Sequence, residues 1–68
     1  MADRTYKIIE LVGISEESFS DAVDDAIERA DQTLNDLSWF EVIEQRGSIG
    51  EGNVREYQVK VKVAFELD

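Results

Sequence analysis

The chain contains no cysteine and no histidine. Without cysteine there is no disulfide and no thiolate chemistry. Without histidine there is no Ser-His relay, and the two absences together remove ordinary zinc sites. No apolar run reaches the roughly 20 residues of a membrane-spanning helix, and no basic stretch followed by an apolar one opens the N-terminus. Positive charge is scarce too. Sixteen acidic residues face seven basic ones, only three of them lysine (Lys7, Lys60 and Lys62), for a formal net charge of -9. A field of that sign repels phosphate backbones and anionic lipid, so no nucleic acid and no membrane is expected as a partner. It suits work at high salt, where screening relieves self-repulsion, and equally an ordinary acidic bacterial protein. Cytoplasm is the expected location.

What is present is 68 residues, read as a single domain over 1–68. A domain this small buries a modest share of its surface and commonly relies on disulfides, a metal or oligomerisation. With disulfides and zinc removed, self-association is the expected source of further stability.

Residues 1–3 are expected to fray. Arg4 to Val12 is rich in aromatic and β-branched residues and reads as a first strand, with Gly13 marking its end. Ser15 is read as the N-cap of a helix, with Glu16 and Glu17 at the positive end of its dipole. Phe19, Ala22, Val23, Ala26, Ile27, Ala30, Leu34 and Leu37 then recur at three- and four-residue steps, one apolar stripe of an amphipathic helix over Glu16 to Asn35. Trp39 to Arg46 reads as a second strand, and the glycines at 47, 50 and 52 place the turn in 47–53. Val54 to Leu67 alternates cleanly: Tyr57, Val59, Val61, Val63, Phe65 and Leu67 share the face expected to meet the helix. The predicted class is α+β with order β-α-β-β. Its three-stranded antiparallel sheet, in order 1-3-2, packs on one long helix.

This leaves a second sheet face carrying Trp39, Ile43, Gln58, Lys60, Lys62 and Ala64. The only tryptophan of the chain has no core to enter there, so subunit packing or a ligand has to account for it. Strand parity places Gln58 on the same face, an amide beside an aromatic plate, which suits a flat heteroaromatic ligand. Parity places Arg46 on the opposite face with Phe40, unless a bulge redirects it.

Several segments together resemble the dodecins, small flavin-binding proteins of bacteria and halophilic archaea. They are Tyr6-Lys7-Ile8-Ile9-Glu10-Leu11-Val12-Gly13-Ile14-Ser15, Trp39-Phe40-Glu41-Val42, Arg46-Gly47, Glu56-Tyr57-Gln58-Val59 and Val63-Ala64-Phe65-Glu66-Leu67. The resemblance implies a hollow homododecamer that binds flavins in pairs at two-fold axes, stacked between tryptophans of neighbouring subunits. By position Trp39 would be the stacking residue, Gln58 the hydrogen-bond partner of the ring edge, and Arg46 a contact to the flavin phosphate. It thus implies FMN as the cofactor, with riboflavin or FAD as alternatives. Many bacterial members carry a basic residue where this chain has Glu66, which speaks against carrying over coenzyme A binding.

The residues alone leave simpler readings open. Trp39 could be interface packing without a ligand, Gln58 a solvated strand residue, and Arg46 an ion pair with Glu44. Asp21, Asp24, Asp25 and Glu28 read as a solvated helix face rather than a metal site. The expected function is non-enzymatic flavin storage and sequestration with quenched photochemistry. The alternative is a structural oligomeric module with no small-molecule ligand. An enzyme ranks last, because only carboxylates, Tyr6, Tyr57, Lys and Arg remain for chemistry and nothing suggests a cleft around Glu41 and Glu44.

Overall fold

The computed structural model describes residues 3–67; residues 1 and 2, part of the segment expected to fray, lie outside the described residues. The order is β1 (Thr5–Ser15), α1 (Phe19–Thr33), β2 (Leu37–Gly50) and β3 (Asn53–Leu67). The strands form one antiparallel sheet in order β1-β3-β2. The predicted class, strand order and hairpin are therefore those observed.

Several boundaries differ from the sequence reading, for physical reasons. Gly13 does not end β1; it pairs with Val59 inside the strand. A Cβ built there would lie 2.0 Å from the carbonyl oxygen of Ala22 and 2.9 Å from the Cβ of Ala26. The glycine is thus where helix and strand backbones touch, not a breaker. The helix also starts later and is shorter than expected. Ser15 Oγ accepts from the backbone N–H of Glu17 at 2.9 Å, a tight turn after the strand. The cap is Ser18, whose Oγ accepts from Asp21 N at 3.0 Å. At its far end the chain leaves the helix at Leu34, and Asp36 takes a left-handed φ of 59°. Leu37, read as part of the helical stripe, is instead the first residue of β2.

The hairpin is tighter than the glycine-rich stretch implied. Gly50 pairs with Asn53, and only Glu51 (φ 53°) and Gly52 (φ 78°) turn. Two consecutive positive φ values match the right-handed twist of the flanking strands.

The core is small. Ala22 and Ala26 of α1 meet Val59, Val61 and Val63 of β3, with Ile9, Leu11, Val23, Ile27 and Leu37 packed around them. Alanine on the helix lets it lie close to the sheet, and Phe19 meets the Tyr57 ring edge-on at 4.9 Å between centroids. The helix packs on β1 and β3. Beyond Leu37 the inward face of β2 is left bare: Phe40 is 49 % exposed, and Val42 is also open. The shape is correspondingly elongated, 56 × 20 × 14 Å with a radius of gyration of 14.3 Å. A compact chain of this length would have about 11 Å. Among the described residues no helix is long and apolar enough to cross a membrane.

Candidate functional site

The outward face of the sheet is read from its cross-strand rows. At one end Tyr6 pairs with Glu66, and the next row is Ile8, Ala64 and Trp39. The middle rows are Glu10, Lys62 and Glu41, then Val12, Lys60 and Glu44. At the far end lie Ile14, Gln58 and Arg46. An aromatic end and a polar end are therefore separated by rows of alternating charge, which neighbours of opposite sign stabilise across the strands.

Three register shifts interrupt this ladder, and two of them build the site. One falls between Leu37 and Trp39 and another between Val42 and Glu44. In each, two residues of β2 advance against one of β3, so side-chain parity flips. Trp39 comes to lie opposite Ala64, on the outward face. Arg46 comes to lie opposite Gln58, on that same face. The parity expectation that Arg46 sits with Phe40 is thereby corrected, because the bulge at Val42–Glu44 turns it over.

Trp39 is 49 % exposed. The Tyr6 ring lies against it, with centroids 4.7 Å apart and planes inclined at 53°. Ala64, on the strand between them, is buried. This small residue leaves room for rings from β1 and β2 to meet over β3. The sequence did not single out Tyr6 as a partner of Trp39. The available signal was an aromatic on β1 two residues from the row that holds Ala64.

At the polar end, Arg46 Nε donates to Gln58 Oε1 at 2.7 Å, and Gln58 Nε2 donates to Glu56 Oε1 at 2.9 Å. Arg46 also pairs with Glu44 at 3.1 Å, the ion pair foreseen as its simpler role. A glutamine amide has two N–H donors and two acceptor lone pairs. One of each is used here, so one donor and one acceptor remain for a ligand. That complement suits the mixed donor-acceptor edge of a flat heterocycle.

Trp39 and Gln58 do share a face, but they are not adjacent. Ala64, opposite Trp39, is six residues from Gln58 along β3, or about 20 Å at the usual strand rise. A single three-ring heterocycle does not span that distance. Within one chain the structure joins Gln58 to Arg46 and joins Trp39 to Tyr6, and it does not join the two pairs. The acidic helix positions Asp21, Asp24, Asp25 and Glu28 do not converge either: no group of three or more acidic residues that could hold a metal occurs among the described residues.

These features define a class: a small, elongated α+β protein with a thin core and apolar surface left open on both faces of one sheet. The chain belongs to the dodecin family, whose model matches residues 5–68. It is 52 % identical over 65 residues to the dodecin of Thermus thermophilus, covering 96 % of this chain and 94 % of that protein. A dodecin structure from Streptomyces coelicolor superposes with a TM-score of 0.96 at 44 % identity, covering 100 % of this chain and 97 % of the other. The calcium dodecin of Mycobacterium tuberculosis, whose structure is described as having a novel calcium-binding site, is 31 % identical with a TM-score of 0.83, covering 94 % and 91 % of the two chains.

Proposed function

We propose that this protein binds flavin without turning it over, as a homododecamer that sequesters the ring at two-fold axes. The observation that carries this reading is Trp39, a half-exposed indole on the outward sheet face, in a chain of a family typified by flavin binding. Stacking against an indole is sequence-tolerant and strong for flat heterocycles. The distance between Trp39 and Gln58 in one chain means that any ring touching both draws them from different subunits. The spare donor and acceptor of Gln58 then orient the ring, and Arg46, hydrogen-bonded to Gln58, is the cation offered to a phosphate of FMN. When bound, the flavin supplies a light-absorbing redox ring. Trp39 would hold that ring by stacking, and its electron-rich indole would quench the ring's emission.

Trp39→Ala tests this in the assembled protein. Riboflavin affinity should fall about 10- to 100-fold and quenching should disappear, while light scattering still reports a dodecamer. Tight, fully quenched binding by the variant would sink the role given to Trp39. The bare inward face of β2 favours one second reading, an assembly module without a small-molecule ligand. A wild-type protein that assembles but leaves riboflavin fluorescence unchanged would select it.

A further inference from the structure

We infer that Tyr6 is a positioning residue for Trp39, holding the indole in the plane in which it receives a flat ligand. This rests on the stacking role proposed above for Trp39. An indole half exposed on an open sheet face is free to change rotamer, and a stacking site loses affinity for every orientation it has to give up on binding. A built site fixes its plate beforehand with a supporting shell.

The shell here is short and specific. Tyr6 stands on β1 and Trp39 on β2, at opposite edges of the sheet, with β3 between them. Their rings meet at 4.7 Å only because the intervening strand carries Ala64 in the row of Trp39. A larger residue at 64 would occupy the space in which the rings meet. The 53° inclination places Tyr6 against the indole without a parallel stack. Such a contact restrains the indole yet leaves a π face for another ring. Behind Tyr6, the Arg4 guanidinium carbon lies 6.0 Å from its ring centroid, the outer reach of a cation–π contact. Arg4, Tyr6 and Trp39 thus form a line of supports that ends in the exposed indole.

The test uses Tyr6→Val and Tyr6→Phe in the assembled protein. Valine keeps the strand propensity and removes the ring; phenylalanine keeps the ring and removes only the hydroxyl. Trp39 is the sole tryptophan, so time-resolved indole anisotropy without flavin reports on this residue alone. In the wild type and in Tyr6→Phe the indole should show little rapid depolarisation. In Tyr6→Val it should show a large fast component, and riboflavin should bind about 3- to 10-fold more weakly. Unchanged anisotropy in Tyr6→Val, or a freely mobile indole in the flavin-free wild type, would overturn the inference. Should Tyr6→Val not assemble, a freely mobile wild-type indole still overturns the inference. Should the wild type bind no riboflavin while the anisotropy behaves as expected, stacking fails and the positioning role stands.

Discussion

Arg46 shows how one backbone irregularity sets the use of a side chain. Its partners are Glu44 and Gln58, and it is exposed along with Glu44. Exposed ion pairs contribute little to stability, about 0–1 kcal/mol. In the function proposed above its part is in binding, not in stability. Arg46→Ala should leave the melting temperature nearly unchanged and weaken FMN more than riboflavin, because only FMN carries a phosphate. Parallel titrations of the two ligands check this. An equal loss for both would assign Arg46 to holding the Gln58 amide instead of meeting a phosphate. The face of Arg46 was not legible from alternation, since a bulge inserts a residue without a compositional mark. Gln58, on the regularly alternating part of β3, was placed on its observed face.

Among the elements, the helix and first strand depend on a single close approach. Val59, Val61 and Val63 were legible as the core row because β3 alternates without interruption across it. Gly13 was misread, since glycine serves both as a strand terminator and as a place where two backbones touch. Only the position of Ala22 over β1 separates those meanings. Gly13→Ala would push a Cβ into the Ala22 carbonyl, where neither backbone can give way cheaply. The variant should lose about 3 kcal/mol or more, or fail to assemble. Thermal melts and soluble yield measure it; a melting temperature like that of the wild type would show that the helix can shift outward. Likewise Ser15, read as the cap, is not the residue that caps the helix. The choice fell to Ser18 because β1 runs on through Ser15.

As a whole molecule, the chain is too thin to be finished alone. Its buried apolar residues are alanines and valines, while Ile8, Trp39, Phe40, Val42 and Ile49 remain open to solvent. Ile49 is 76 % exposed, beside the hairpin tip. Such surface is ordinarily covered by further protein. Assembly of identical chains also gathers identical charge, here -9 each. Screening should therefore stabilise the oligomer. Raising salt from about 0.1 M to 1 M shortens the Debye length from about 10 to 3 Å. The melting temperature should rise by about 5 °C or more, read by calorimetry at constant protein concentration. A flat or falling salt response would place the acidic residues too far apart to repel.

The sequence by itself determined the class, the strand order, the valine row of the core and the outward placement of Trp39 and Gln58. Periodicity encodes which face a residue takes wherever an element is regular, and absent residue types exclude whole chemistries. The tertiary structure alone decided what irregularity and close approach control. It placed Gly13 under the helix, turned Arg46 onto the face of Gln58, set Tyr6 against Trp39, and kept Trp39 and Gln58 about 20 Å apart. Bulges and inter-element contacts depend on how segments distant in sequence meet, and no local pattern records that meeting.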